Sequence, residues 1–406
     1  MWLVRLRPPY QFVSAALATD KTRPDAFCSA PTNVGKTSTM VRPARFCSET
    51  SETTGEERIA RDYGRIPMLD GTQMARCIPE IPIRLFSDQR GLPDYAAPTI
   101  LLLPWWTPKF QDKSEFRDMG RYNQYLREAH KYFSYTSSIE ESDFAVLPSD
   151  WKHYFRRNNI EPALQFVQKA RDARKDVIVQ FYADEECQIP IDDAIVFRTS
   201  FSLSNARSNE YAMPGFVGDP IHVFSNGEFQ AKPKQARPIV SFCGWASHTS
   251  SSSTNDFGAL VRNCFEGLDV KLKYNLIYDF RMKIIEYLQD FKGVDTLITA
   301  RNGYCANIDR EGDLPGLKRV RKAYFQSIFD SDYVLCVRGK GNYSYRFYET
   351  LAAGRIPVFV NTDSPLPLPG MINWKDHCVW VEHDEAVRIG DSILSFHESL
   401  SEREFE

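Results

Sequence analysis

The sequence is poor in features that mark several protein classes. It has no run of about 18 apolar residues, so nothing in it reads as a membrane-spanning helix. Its best apolar stretch, 96–106, is short and is interrupted by Pro98 and Pro104. The nine cysteines never form a CxxC pair, so their spacing suggests neither a zinc site nor a redox pair. Their odd number favours mostly free thiols, with room for a disulfide or two in an oxidising compartment. Charge of one sign is lacking too: 50 Lys and Arg against 53 Asp and Glu give −3, which excludes nucleic-acid binding driven by overall charge. No loop at a strand's carboxyl end carries an Asp-x-Asp pair suited to a divalent cation. Asp192 and Asp193 are adjacent and precede a strand, which reads as a turn feature.

What is present is a globular composition, 43% hydrophobic and 25% charged, in a chain long enough for two domains at roughly 150 residues each. Residues 1–65 differ from the rest. They are rich in Arg, Ser, Thr and Pro, carry few acids before Glu49, and lack hydrophobic periodicity. They read as a disordered leader or an organellar targeting segment, with a secretory signal over 10–18 as the alternative. Within them, residues 30–37, which include Gly35, Lys36 and Thr37, fit the relaxed form of a phosphate-binding P-loop. That chemistry needs a buried strand before the loop and a helix after it. Residues 23–28 are no strand, so a nucleotide hydrolase is the weakest reading.

From about Tyr95 short apolar runs alternate with amphipathic stretches, the pattern of parallel α/β layers. Strands are predicted over 99–103, 144–147, 177–182 and 194–197, with helices over 123–133 and 160–173. A second series follows from Pro238, with strands over 239–243, 296–299, 333–337, 356–360 and 378–381. Its helices are predicted over 280–291, 317–329 and 345–353, and a last amphipathic helix over 384–396. The expected organisation is a leader (1–65), a first Rossmann-like domain (66–232), a second one (233–383) and a C-terminal helix (384–406). The polar stretch 227–237 is the expected junction.

The most informative segment is 331–358. A buried strand leads into a loop containing Arg338, Gly339, Lys340 and Gly341. Ser344 then stands at an expected N-cap, a helix follows with Phe347 and Leu351 inward, and Gly354 ends it. In such a unit the helix amino terminus favours an anion. Arg338, Lys340 and Arg346 surround that place, guanidinium forks suit phosphate oxygens, and a diphosphate is the natural ligand. Glu349, a turn after Arg346, can accept hydrogen bonds from ribose hydroxyls. The plainer alternative is a solvated basic loop with Glu349 paired to Arg346.

Arg338-Gly339, Ser344, Arg346, Glu349, Leu351, Ala353-Gly354 and Ile356-Pro357-Val358 resemble the signature of the exostosin-like glycosyltransferases (GT47). Val337 and Thr350 depart from it, where members carry Pro and Ala. Weaker pieces fall in the family's order: 142–148, 209–214 with Asp219-Pro220, 237–244, and Ile372-Asn373-Trp374. The resemblance covers roughly Tyr95 to the C-terminus. It implies a GT-B fold, two Rossmann-like domains facing a central cleft, and inverting sugar transfer from a nucleotide sugar, often UDP-linked. It implies that Arg338 and Arg346 bind the diphosphate and Glu349 the ribose. Gly339, Lys340 and Ser344 would belong to the same donor loop, and Gly244, Ser247 and His248 would line the loop opposite. No metal or other cofactor is expected, since cationic side chains and the helix end can offset the leaving charge.

The acceptor would be a glycan or glycoprotein, with no nucleic acid partner, and a hetero- or homodimer with another glycosyltransferase fits the family. So does a Golgi location, although no anchor is visible; a soluble or organellar protein is the alternative. The chain also ends early for the helix that usually crosses back to the first domain. A general base is expected from the first domain, near a strand's carboxyl end. Asp150 or His153 would fill that role, and Glu185 occupies a similar place. Trp105, Trp106, Trp151 and Trp245 follow strands, where they serve packing or sugar stacking. The one sequon, Asn342-Tyr343-Ser344, lies in the phosphate loop and is expected to stay unmodified. The competing function is a GT-B-shaped partner of another glycosyltransferase with little turnover of its own.

Overall fold

The computed structural model describes residues 81–106, 121–248, 270–309 and 312–406. The expected leader and the P-loop-like 30–37 lie outside the described residues.

Two sheets organise the chain, and every strand pair in both is parallel. The first contains β1 (Ile83–Phe86), β2 (Phe133–Thr136), β3 (Phe144–Val146), β4 (Val177–Phe181), β5 (Ile195–Arg198) and β6 (Glu210–Ala212). Its order is β2-β1-β3-β4-β5-β6. The second contains β7 (Ile239–Trp245), β8 (Asp295–Arg301), β9 (Tyr333–Cys336), β10 (Ile356–Asn361) and β11 (Val379–Glu382). Its order is β11-β10-β9-β7-β8.

Helices link the strands. They are α1 (Leu103–Trp106), α2 (Asn123–Glu128), α3 (Trp151–Arg156), α4 (Glu161–Asp172) and α5 (Pro220–Phe224) on the first side. On the second are α6 (Val270–Asp290), α7 (Leu314–Asp330), α8 (Tyr345–Ala352), α9 (Ile389–Ser399) and α10 (Glu402–Phe405). Central strands such as β4 and β9 are buried along their whole length, as a parallel sheet covered on both faces requires. Each sheet has one apolar cluster on either face, around Leu85 and Val179 in the first and around Val240 and Val334 in the second. This is a two-domain, Rossmann-like architecture. Among the described residues no helix is long and apolar enough to cross a membrane.

Two sequence expectations are corrected. The predicted strand over 99–103 is helical: a 3-10 turn at Ile100–Leu102 runs into α1. Its residues are buried all round, so periodicity could not separate strand from helix, and Pro104 suits a first helical turn. The predicted helix over 123–133 breaks after Lys131, and Phe133 opens β2 instead. β1, β2 and β6 were not foreseen, being only three or four residues long.

The segment between α5 and β7 contains neither helix nor strand and is pinned to the second sheet's amino edge. Lys232 pairs with the buried carboxylate of Asp332, and His397 on α9 hydrogen-bonds the carbonyl of Gln235. Gly354 adopts φ +66° at the end of α8, and a side chain there would collide with Phe229.

Candidate functional site

The site is built from the loop between β9 and α8. Arg338 leaves the carboxyl end of β9 at 4% exposure, and its Nη2 lies 3.3 Å from Glu186 Oε1 in the β4–β5 loop of the other sheet. Arg346 stands in the first turn of α8. Its guanidinium lies 4.4 Å above the Phe242 ring and donates from Nη2 to the Cys243 carbonyl at 3.0 Å. Its Nε is buried without a hydrogen-bond partner. Gly244 is explained by this side chain, since a Cβ there would strike Arg346 Nη2. Ser344 occupies the N-cap position in extended conformation, but its hydroxyl makes no capping hydrogen bond.

A third arginine, which sequence reading missed, completes the cluster. Arg281 on α6 donates to the Arg338 carbonyl from Nε at 3.1 Å and Nη2 at 2.5 Å, and to the Trp245 carbonyl from Nη1 at 2.8 Å. Burial, with repulsion from Arg346 and Arg338, lowers its pKa to about 9. No sequence motif surrounds Arg281. Only its place in a long amphipathic helix could have suggested that it faces inward. Buried cations held close together are costly unless an anion joins them.

Glu349 does not pair with Arg346. Its Oε2 accepts from the Tyr324 hydroxyl at 2.6 Å, and Oε1 lies 3.6 Å from Arg321, both on α7. Burial, reinforced by the Glu349 charge, raises the Tyr324 phenol well above its ordinary value, so it stays a donor. Gly339 donates its amide to the Tyr343 carbonyl at 2.8 Å, tightening the loop. Lys340 is exposed, with the Asp184 carboxylate in its field.

The loop is locked to its surroundings by Asn342, which is fully buried. Its amide N–H donates to Ser200 Oγ at 2.7 Å, and Nδ2 donates to the carbonyls of Phe201 and Thr362 at 3.3 and 2.9 Å. Thr362 donates to its Oδ1 at 2.7 Å. The sequon's amide is thus consumed inside the protein, and a glycan has no room there. Gly341 is required beside it. A Cβ would lie 2.5 Å from Ser200 Oγ and 2.8 Å from Asp184 Cα.

Other expected residues lie elsewhere or serve otherwise. His248 is exposed and reaches Glu286 on α6 at 2.7 Å, while Ser247 is half-buried beside it. Asp150 caps α3, accepting from the Lys152 amide at 3.0 Å, and ties in β4 by accepting from the Tyr182 amide at 2.9 Å. Burial raises its carboxyl to about 6, against the opposing pull of Lys152. His153 Nδ1 lies 2.7 Å from Ser149 Oγ, whose hydroxyl donates to the Ala97 carbonyl at 2.7 Å. Nδ1 must therefore carry the proton, leaving the Nε2 lone pair available. Burial first, then Lys152 and Arg156, lowers its pKa, so the ring is neutral at pH 7. Glu185 pairs with Arg156 at 2.6 Å. Asp192 and Asp193 are engaged by Arg207 and Arg171.

The four tryptophans expected after strands all have protein neighbours. Trp105 and Trp106 sit on a helix rather than after a strand and pack on Tyr135, Trp151 is core, and Trp245 stacks on Tyr278 at 3.9 Å.

A scan against protein-family models finds no match. A curated protein from Drosophila melanogaster, Exostosin-1, is 32% identical over 75 residues. That stretch is 18% of this chain and only 10% of the fly protein.

Proposed function

We propose that this chain is an exostosin-like, inverting glycosyltransferase with its two Rossmann-like units in a GT-B arrangement. In this reading it takes a sugar from a nucleotide diphosphate donor, UDP-linked, and delivers it to a glycan or glycoprotein acceptor. The likeness to Exostosin-1 supports the glycosyltransferase class and nothing finer. The observation that carries the donor site is the cluster of two buried arginines, Arg281 and Arg338, with the half-buried Arg346, whose buried Nε is still unpartnered. A diphosphate would supply the missing acceptors, bound by Arg338 and Arg346 with Arg281 bracing the loop from behind. Lys340, Gly339 and the α8 amino terminus would complete the cradle, and Glu349 would take the ribose.

Catalysis then follows from charge. As the sugar–phosphate bond breaks, negative charge grows on the leaving diphosphate, and preorganised guanidiniums stabilise it there. This reading needs no metal. The acceptor hydroxyl is deprotonated from the first sheet's side, where His153 offers a neutral imidazole with a free Nε2 lone pair. Asp150, its oxygens already engaged, is assigned to positioning the helix that carries His153. In this reading the protein works in or at the Golgi lumen, which accords with the family resemblance.

The test is thermal stabilisation by UDP, GDP and their sugars, repeated with Arg346→Ala. One diphosphate nucleotide should raise Tm by mass action, and the variant should lose the shift. A folded protein indifferent to every nucleotide would overturn the reading. A second reading, a binding partner with little turnover, draws on Glu186 already neutralising Arg338. It predicts nucleotide binding without release of free sugar or transfer, which a nucleotide-sugar hydrolysis assay decides.

A further inference from the structure

Among the described residues the second sheet ends one strand short. In the doubly wound order 3-2-1-4-5-6, β7 takes the first place, β8 the second, and β9, β10 and β11 the fourth to sixth. The third place, beside β8, is filled by no strand among the described residues. Among the described residues β8 therefore has a neighbour on one side only, yet it is seven residues long, and none of them is fully buried. Its sequence, Asp295-Thr296-Leu297-Ile298-Thr299-Ala300-Arg301, is rich in residues that favour strands, and Leu297 is 40% exposed. Proteins usually blunt such an edge with lysine, proline or a bulge, and β8 has none of these.

Hydrogen-bond direction shows what the open edge offers. The Asp295 amide donates to the Pro238 carbonyl and the Arg301 carbonyl accepts from the Ala246 amide, so residues 295, 297, 299 and 301 turn their backbone toward β7. By alternation Thr296, Ile298 and Ala300 turn theirs outward.

We infer that this edge pairs with the same edge of a second copy, antiparallel across a two-fold axis at Ile298, joining two five-stranded sheets into one. Ile298 then exchanges both backbone hydrogen bonds with its copy, and Thr296 does so with Ala300 of the copy. Leu297 faces Thr299 across the pair. Asp295, whose half-exposed carboxylate also meets Arg237 of its own chain at 3.1 Å, comes opposite Arg301, so the strand is complementary in charge to its own reverse. That self-complementarity selects a second copy over an unrelated strand, and an isologous contact closes as a dimer. The inference stands on the sheet edge and is independent of the nucleotide reading.

Sedimentation velocity of the full chain across a concentration series tests it, with two variants. Ala300→Pro removes an outward N–H at an exposed edge position, where the monomer tolerates proline. Asp295→Arg places like charges opposite each other. The wild type should dimerise, and each variant should weaken association at least about tenfold, with near-UV circular dichroism unchanged. A wild type monomeric at about 100 µM, or a dimer that survives both substitutions, would overturn the inference; the micromolar threshold corresponds to about 5–6 kcal/mol of association.

Discussion

The two sheets share parallel strands and helices on both faces, yet the loops at their carboxyl ends carry opposite charge. Beyond β9 and β7 lie Arg338, Lys340 and Arg346, with Arg281 behind them. Beyond β4 lie Asp184, Glu185 and Glu186 in succession. The loops meet: Glu186 pairs with Arg338, and Gly341 donates its amide to Asp184. Protein packed around Asp184, and the charge of Glu185, raise its carboxyl despite Lys340, although the residue keeps contact with solvent. The difference teaches that the shared framework positions loops and the loops decide the chemistry. On the proposed donor-site reading it also makes the first sheet's acidic loop a competitor for the bound diphosphate.

The sharpest way to break the comparison leaves every charge in place. Gly244→Ala puts a methyl group into Arg346 Nη2 and should push the guanidinium off its seat between the Phe242 ring and the Cys243 carbonyl. If Arg346 is the phosphate ligand the proposal makes it, misplacing it should weaken binding of the preferred diphosphate nucleotide about 100-fold, roughly 2.7 kcal/mol. Calorimetric titration reads it, and unchanged affinity would mean that Arg346 does not hold the anion. The next largest effect concerns stability. Asn342→Ala leaves the buried hydroxyl of Thr362 and the carbonyls of Phe201 and Thr362 without their partner. A loss of about 2 kcal/mol in denaturant unfolding is expected, since unsatisfied buried groups cost about 1–3 kcal/mol.

A smaller change should work in the opposite direction. Glu186→Gln keeps the shape and the contact from Ser202 but removes the charge that neutralises Arg338. A phosphate no longer competes with a carboxylate, so nucleotide affinity should rise about tenfold, or 1.4 kcal/mol. The gain should shrink as salt screens both anions, although burial limits the screening. Equal or weaker binding in the variant would show that Glu186 assists the ligand instead of opposing it.

Much of this was legible before any coordinates. The strands from Phe144 onward, β6 excepted, and the strand–loop–helix unit around Arg338 are local, because apolar runs, Gly339, Ser344 and Gly354 announce them one after another. What was not legible depends on residues distant in sequence. Arg281 sits 57 positions from the carbonyl it braces, and Glu186 lies 152 positions from Arg338. No spacing rule connects them. β1 and β2 escaped because a four-residue strand holds barely two periods of alternation, and the 99–103 run because complete burial erases periodicity. Asp150 shows another limit. A strand-end aspartate reads equally well as a base or a cap until its hydrogen bonds are seen.

That distinction yields the smallest and most selective effect. Asp150 is buried while accepting two backbone amides, and burial raises its carboxyl from 3.8 to about 6. A raised folded-state pKa means that the native protein holds this proton more tightly than the unfolded chain does. The stabilisation is fully present below the unfolded value and is lost as pH rises through about 6. Asp150→Asn keeps an acceptor for one amide and cannot ionise, so its own stability carries no such dependence. Between about pH 4 and 6 the wild type should therefore lose stability relative to the variant, read by denaturant midpoints with the slope unchanged. Nucleotide affinity should stay the same throughout, because the group caps a helix of the first sheet and lies outside the arginine cluster. A stability difference flat across that window would mean that the two amides hold the carboxylate ionised against its burial.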